Sequence, residues 1–467
     1  MKKGEEYTGK VIGSKFPNKG QILIGDDKVT VKNAIPGQTV HFRIQKKKSG
    51  RAEGRLLEVV EPSPLETEEP GCSIYPACGG CLYRTIPYKE QLEIKKNQVL
   101  ELLTNAGIDT SVYEGIKPSP LPDRYRNKME YSFGDSEKDG ELMLGLHKRG
   151  SMYDVLPALD CHIVHEDFNR IVKCVLDLMR EKGWTYYHKN SHEGYLRHLL
   201  IRRACMTGEI LVDLVTSSQS PADEQQVLVE LVRRLRNLSL DGNLCGILHT
   251  YNDSVADTIK NEHTDILYGQ DNFYEEILQL MFKITPFSFF QTNSRGAEVL
   301  YKTAREFLGD KEVRGKRVFD LYSGTGTIAQ ILAPAAEEVV GVEIVEEAVE
   351  AARQNAMLNN LHNCKFIAGD VLKVLDEIEE RPDTIVLDPP RDGIHPKALP
   401  KIVAYGVNRI IYISCKPTSL VRDLPYFVEH GYEVSRICNV DMFPDTPHVE
   451  TVCLLSKLSG AKNTIDV

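Results

Sequence analysis

The chain has 467 residues, 42% of them hydrophobic, too many for one ordinary core and normal for soluble globular domains, so two or three domains are expected. No stretch approaches the ~18 uninterrupted apolar residues of a membrane span and the start MKKGEEYTGKVIGSKF lacks the apolar run of a signal peptide, so a cytoplasmic location without membrane partner is expected. Eleven cysteines, an odd count in a reducing compartment, exclude a disulfide framework and leave metal binding open, while the net charge of −10 counts against nucleic acid as partner of the whole chain.

Residues 1–60 reverse that sign, with 13 Lys and Arg against 6 Asp and Glu, and the remaining 407 residues sum to −17. Within this segment YTGKVIG, QILIG, KVTVKNAI and QTVHFRIQKKKSGRAEGRLLEVVE alternate apolar and polar residues between Gly, Asp and Pro. That pattern predicts short antiparallel strands closing a small β-barrel. Lys46, Lys47, Lys48, Arg51 and Arg55 lie on one strand-loop-strand connection, suited to a polyanionic backbone.

After Glu61, EPSPLETEEPG reads as a linker. Cys72, Cys78 and Cys81 follow in CSIYPACGGC with the spacing C-x5-C-x2-C, and the glycines let the chain aim both sulfurs of the short half at one centre. Three ligands need a fourth, and Cys161, in the polar Pro-flanked LPALDCHIVHEDFN, is the best candidate. Four thiolates suit tetrahedral zinc or an iron-sulfur cluster, and spacing alone leaves both open. Residues 61–285 otherwise mix helical and strand-like runs, predicting an α+β central domain. Cys174, Cys205, Cys245, Cys364, Cys438 and Cys453 fall in apolar runs or beside β-branched residues and read as core.

From about residue 286 to 467 strands alternate with helices: KRVFDLY, GTIAQILAPAA, EVVGVEI, EEAVEAARQNAMLNN, CKFIAGD, TIVLDPP and RIIYISC. The rhythm predicts a doubly wound, Rossmann-like parallel sheet, an α/β domain binding ligands at the carboxyl ends of its strands. Asp320, Glu343, Asp370, Asp388 and Cys415 each close such a strand. The loop DLYSGTGTIA places Gly324 and Gly326 before a helix, with Glu343 19 residues after the first. A dinucleotide site shares that pattern, so a nicotinamide-dependent dehydrogenase stays open. The extra carboxylate of Asp320 suits the sulfonium and amino groups of S-adenosylmethionine instead.

TIVLDPPRDG sets Asp388 and two prolines directly after a strand. Where such a turn serves amino-group methylation an aromatic residue usually follows to stack on the base, and here Arg391 stands there. That points to a ring carbon. Uracil C5 is a weak nucleophile until a thiolate adds to C6, after which C5 can take a methyl group and a carboxylate must remove its proton. Cys415, otherwise readable as core or metal ligand, fits the thiolate. Glu450, after the Pro-rich DMFPDTPHVETV whose length suits a lid or wall, fits the base.

With these residues assembled, the chain resembles the RNA 5-methyluridine methyltransferase family, in particular its iron-sulfur branch acting on 23S ribosomal RNA. FSFFQTN, DLYSGTGT, LDPPRDG, SCKPTSLVRD and MFPDTPHVET carry the likeness together with the four cysteines and a barrel like a TRAM domain. The resemblance implies that Gln291 and Tyr322 contact the methyl donor and that Glu343 binds its ribose. It implies that Asp370 meets the adenine and Asp388 lines the cofactor and base pocket. Cys415 is then the nucleophile, Glu450 the base, and Cys72, Cys78, Cys81 and Cys161 hold a 4Fe-4S cluster in place of zinc. RNA, 23S ribosomal RNA or else tRNA, is the expected partner, and no obligate protein partner is evident. A non-catalytic RNA-binding protein would share the barrel. The family usually has Asn after its nucleophile where this chain has Lys416, a cation that would either lower the thiol pKa or meet an RNA phosphate.

Overall fold

The computed structural model describes residues 1–48, 51–255, 259, 262–378 and 381–458. The tip of the basic hairpin, residues 49 and 50, and the end of the expected third domain, residues 459–467, lie outside the described residues.

The alternating N-terminal runs form β1 (Glu6–Lys15), β2 (Lys19–Ile24), β3 (Asp27–Lys32), β4 (Thr39–Lys48) and β5 (Arg51–Glu61), closed into a barrel in the order β1-β2-β3-β5-β4. Val11, Ile22, Val29, Val31, Val40, Phe42 and Ile44 point inward, and closure removes the unpaired edges of so small a sheet. The cations outside are partly matched: Lys47 pairs with Asp27 at 2.9 Å, Lys46 with Glu53 at 4.0 Å, and Arg43 grips Glu6. Arg51 and Arg55 remain exposed on alternate positions of β5.

The linker leads into α1 (Tyr88–Asn105) and β6 (Tyr113–Lys117). The central sheet then takes β7 (Lys128–Gly134), β8 (Met143–His147), β9 (Val155–Pro157), α2 (Glu166–Lys182), β10 (Leu196–Arg203), β11 (Glu209–Thr216), α3 (Glu224–Arg236), β12 (Asn243–Tyr251) and β13 (His263–Gly269). Its order is β13-β12-β11-β10-β7-β8-β9, antiparallel except for β11 against β12. Phe168, Ile171, Val172, Val175 and Met179 recur on one side of α2 and pack on Leu199, Ile201, Val212 and Leu214 of the sheet. Gly183 ends α2 in the left-handed conformation, φ 68°.

The hairpin β14 (Phe273–Ile277) and β15 (Leu280–Ile284) precedes α4 (Ser294–Leu308) and the single turn α5 (Asp310–Val313). The expected alternation follows: β16 (Arg317–Leu321), α6 (Thr327–Leu332), β17 (Glu338–Glu343), α7 (Glu346–Leu358), β18 (Cys364–Ala368), α8 (Val371–Glu377), β19 (Thr384–Leu387), α9 (Ala398–Ala404), β20 (Arg409–Ser414), α10 (Pro417–Glu429), β21 (Tyr432–Val440) and β22 (Glu450–Lys457). The sheet runs β18-β17-β16-β19-β20-β22-β21-β6. β18 through β20 are parallel, the order reverses between β16 and β19, and β22 is antiparallel to both neighbours.

Strand pairing and packing cross the expected boundary near residue 285. β6 pairs in parallel with β21, Tyr113 opposite Ile437, so part of the expected central segment closes the edge of the C-terminal sheet. Val99 and Leu103 of α1 pack in the same core as Phe319 and Leu321 of β16. The β14–β15 hairpin likewise buries Phe273, Ile277 and Phe282 with α4 and the C-terminal sheet. Cys438 and Cys453 are fully buried, and Cys174, Cys245 and Cys364 pack against the cores, as expected of structural thiols. Cys205 is partly buried. Among the described residues no helix is long and apolar enough to cross a membrane.

Candidate active site at the strand ends

Register brings the singled-out residues to one edge of the C-terminal sheet. Leu321 of β16 stands beside Val342 of β17 and Leu387 of β19, and Leu387 beside Tyr412 of β20. The residues after these points face one crevice at the order reversal, where open α/β sheets bind ligands. β22 runs backward, so it begins where the parallel strands end. Ser414 pairs with Thr451, which carries Cys415 opposite Glu450.

Charge ties this group together. Glu450 is 4% exposed, and its carboxyl is pushed up to about 8 by burial, then by Asp388, with Arg391 opposing. Burial raises Asp388 to about 7. The Cys415 thiol is pushed up to about 11, first by burial and then by Glu450 and Asp388, again opposed by Arg391. Asp320, fully buried, rises to about 8 through burial and then Asp388 and Glu343, against one N–H bond from Ala329 at 2.9 Å. Its Oδ1 has no hydrogen-bond partner among the described residues. Burial first, and the neighbouring acids second, favour the protonated forms of Glu450, Cys415 and Asp320, and burial alone does so for Asp388.

The cation acting on Cys415 is therefore Arg391. Lys416, read from sequence as a candidate for that part, points its Nζ to within 3.9 Å of Asp392 at the surface.

The glycine loop is shaped for close approach. Gly324 and Gly326 have φ of 53° and 71°, and a Cβ on Gly326 would lie 2.6 Å from Phe366 Cε1. Among the described residues nothing beyond its chain neighbours stands within 4 Å of a Cβ built on Gly324. Tyr322 takes φ 69°, held by its own N–H and that of Ser323, which both donate to the Val342 carbonyl at 2.9 and 3.0 Å. Such a conformation costs about 1–2 kcal/mol outside glycine, and the half-buried ring packs against the core that holds Phe319 and Leu321. Glu343 accepts from Gly324 N–H and Val345 N–H, each at 3.0 Å. Asp370 caps α8 through Leu372 N–H at 3.0 Å.

Gln291 lies in the loop before α4, its carbonyl accepting from Asn127 Nδ2 at 3.0 Å and its side chain bonding the Tyr301 hydroxyl. Tyr301 is buried and also feels Asp388 and Glu450, so Gln291 belongs to the same crevice. Beside this loop opens a cavity of about 400 Å³ lined by Arg126, Lys128, Arg202, Phe287 and Phe289 among others. Buried Arg202 fixes the loop by donating to the carbonyls of Pro286, at 2.9 Å, and Ser288, leaving Phe289 68% exposed.

Cys72, Cys78, Cys81 and Cys161 line one small cavity of about 30 Å³ with Ile74, Tyr75 and Arg84. Arg149 Nη2 donates to the carbonyls of Cys78 and Cys81 at 2.9 and 2.6 Å, and Asn169 Oδ1 accepts from Cys161 N–H at 3.1 Å. The segment and the distant cysteine are thus brought together and held by bonds that leave the sulfurs facing inward.

Sequence reasoning missed Tyr301, which carries no motif. It noted Arg391 only for displacing an aromatic residue, although a cation beside three acids was the available signal. It missed Asp445 as well, which clamps the loop leading to Glu450.

Residues 87–458 match the sequence profile of the tRNA (uracil-5-)-methyltransferase family. An uncharacterized RNA methyltransferase of Clostridium tetani is 48% identical over 452 residues, 97% of this chain and 98% of that one. One from Caldanaerobacter subterraneus is 48% identical over 457 residues, 98% and 100% of the two chains. Among solved structures, the Pyrococcus abyssi tRNA (uracil-54, C5)-methyltransferase in complex with S-adenosyl-L-homocysteine superposes with a TM-score of 0.74, covering 96% of this chain and 100% of that one at 25% identity. The barrel and Rossmann-like sheet recur there, and the acid-lined crevice suits a cationic methyl donor rather than a pyrophosphate. The chain belongs to the tRNA (uracil-5-)-methyltransferase family, whose members are S-adenosylmethionine-dependent RNA methyltransferases.

Proposed function

We propose that this chain methylates C5 of a uridine in RNA through a covalent bond between Cys415 and C6. The observation that carries the reading is the placement of Cys415 opposite Glu450, with Asp388 and Arg391 acting on both. The unpartnered Oδ1 of Asp320 and three acids raised toward neutral pH fit a cationic ligand. S-adenosylmethionine, when bound, supplies an electrophilic methyl group on a sulfonium centre. Asp320 and Asp388 balance that charge, Glu343 holds the ribose, Asp370 the adenine edge, and Gln291 and Tyr322 line the donor.

The cation also readies the chain's own groups. Positive charge among carboxyls lowers each toward its anion, so the loaded site enters the reaction with Glu450 ionised. Cys415 gives up its proton to a neighbouring carboxylate and its sulfur adds to C6, moving the C5–C6 π electrons into an enolate at C5 and O4. Once C5 carries the methyl group, Glu450 takes the C5 proton, the C5–C6 double bond re-forms and the thiolate leaves. Arg391 steadies the anions in turn.

The cavity beside Gln291, with Arg126 and Lys128 near exposed Phe289, supports an RNA entry: cations for phosphate and a ring for a splayed base. The barrel of residues 1–60, TRAM-like, serves as a further RNA-binding arm, the cysteine segment and sheet of 61–285 as the central domain, and 286–467 as the transferase.

The four cysteines hold a 4Fe-4S cluster. A lone zinc ion, about 2.3 Å from each sulfur, needs sulfurs about 3.8 Å apart. Among the described residues the group bringing three ligand atoms within 4.8 Å is instead His165, Asp167 and Asp241, and there Arg170 and Arg203 already face Asp167. Four thiols around one cavity, spaced more widely than a single zinc ion would hold them, support a cluster.

The four cysteines and the barrel, with the motif resemblance, favour 23S ribosomal RNA as substrate. The end-to-end likeness to the Pyrococcus abyssi enzyme favours tRNA. Mapping 5-methyluridine in both RNAs from a strain lacking the protein tests this. Loss from 23S ribosomal RNA is expected, loss from tRNA alone overturns the ribosomal reading, and no loss anywhere overturns the function.

A further inference from the structure

One residue of the MFPDTPHVET segment has no part in the chemistry described so far. Residues 441–449 connect β21 to β22 and end at Glu450. In their middle Asp445 is 4% exposed and takes φ 65°. Aspartate tolerates that region better than most residues, yet at a cost that neighbours must offset. They do so fully. Its carbonyl accepts from Leu82 N–H at 2.7 Å and Tyr83 N–H at 2.9 Å. Its carboxylate accepts from Arg84 Nη1 at 2.8 Å and Gln91 Nε2 at 2.9 Å, while its own N–H donates to Gln91 Oε1 at 2.8 Å.

Three of those partners, Leu82, Tyr83 and Arg84, directly follow Cys81. Arg84 also reaches Asp123, His162 Nδ1 at 3.0 Å and the Pro70 carbonyl at 2.9 Å. Tyr83, wholly buried, donates its hydroxyl to Asn18 Oδ1 of the barrel at 2.8 Å. Three consecutive residues thus join the cysteine segment, the barrel, the central domain and the base-bearing loop. The Arg84–Asp445 pair is mostly buried, 14% and 5% exposed, and charge-assisted bonds there fix geometry strongly.

We propose that Asp445, gripped by Arg84, is a positioning residue that sets Glu450 against Cys415 and makes that setting depend on the cysteine segment. It rests on Glu450 being the base. The proton removal that ends the reaction then fails first when the grip is lost, since Cys415 hangs from β20 and α10 and keeps its own support.

The test uses full-length protein and RNA from a strain lacking it, reading methyl incorporation, donor affinity and the fraction of RNA bound covalently after denaturation. Asp445→Asn should slow release by about 10- to 100-fold, so that methylated adduct accumulates while donor affinity stays level. Arg84→Met should do the same, the double variant should be no worse than either single one, and Arg84→Lys should restore part of the release. Cys78→Ser, assayed for adduct as well as turnover, should also accumulate it. A uniform fall of addition and release with no adduct overturns the proposal, as do additive effects of the two substitutions. Should Asp445→Asn fail to fold, Arg84→Lys carries the same readouts. Glu450→Gln is run alongside: if it traps adduct and the Asp445 and Arg84 variants do not, only the positioning role falls. If it traps none, the base assignment falls.

Discussion

Replacing Glu450 with Gln should stabilise the folded protein at alkaline pH. The carboxyl is 4% exposed and titrates at about 8 against an ordinary 4.5, a rise caused by burial first and by Asp388 second. A folded carboxyl raised in this way keeps its proton between those values while the unfolded chain has already lost it. Stability therefore falls as pH climbs from about 4.5 to about 8 and is level beyond. At 1.36 kcal/mol per pKa unit, the wild-type chain gives up about 3 kcal/mol by pH 7 and about 5 kcal/mol above pH 8 on account of this one group. Gln keeps the shape and has no proton to lose. Thermal melts of both proteins across pH 5 to 9, without methyl donor, should nearly coincide at the acid end. They should separate by roughly 10–20 °C at the alkaline end, taking 2–4 °C per kcal/mol for a domain of this size. Adding S-adenosylmethionine should narrow the gap, because its charge compensates the anion. Parallel melting curves at all pH values would refute the idea that Glu450 sits uncompensated in the core of the site.

Cys415→Ala should fold and melt within a few degrees of wild type yet transfer no methyl group and form no covalent RNA complex; normal turnover per folded molecule would leave it a packing residue. Affinity for S-adenosylmethionine should rise from pH 6 to 8.5 with release of protons, because Asp388 and Asp320, at about 7 and 8, bind a cation as anions. Calorimetry in two buffers checks this, and Asp320→Asn should flatten the dependence. Anaerobically purified protein should absorb broadly near 400 nm, roughly where iron-sulfur proteins do, and lose that band on Cys78→Ser, whereas a colourless protein with one zinc would contradict the cluster. Arg51→Gln with Arg55→Gln should lower the slope of log affinity for RNA against log salt by about 1–2, and an unchanged slope would remove the barrel from the RNA interface.

The parts of the fold that follow from local patterning were legible. Alternation gave away β1 to β5, and the strand-helix rhythm after residue 286 announced the sheet whose ends carry Asp320, Glu343, Asp388 and Cys415. β6 was not readable in the same way. YEGIK is five residues of mixed burial, and its partner β21 lies more than 300 positions away. The same separation hides Asp445, whose bonds to Arg84 and Gln91 span 361 and 354 positions, and Tyr301, which reaches the site only because α4 packs across it. Lys416 stayed open between the thiol and an RNA phosphate because adjacency along the chain gives no direction, and the turn into α10 directs its Nζ to Asp392 at the surface.

The loop from Asp441 to Val449, readable from sequence as a lid or a wall, is a wall. Lys95 and Asp441 have no exposure, and an ion pair so deep is weak evidence for stability, since desolvating both charges offsets most of their attraction. What the pair supplies is position. Lys95 Nζ holds Asp441 Oδ1 at 2.7 Å and the Phe443 carbonyl at 3.0 Å, both from α1. Asn293, at the head of α4, donates to the Met442 carbonyl at 2.9 Å, and Tyr125 to the Pro444 carbonyl at 3.1 Å. With Leu82 and Tyr83 on Asp445, four successive carbonyls are each fixed by a different part of the chain. To swing open the segment would lose all these bonds, so Glu450, the proposed base, stays in place rather than arriving with the substrate. On the proposed reaction the moving part is then the RNA. Its uridine must leave the stack, at a few kcal/mol, and enter from the side where Phe289 and the cationic cavity stand open.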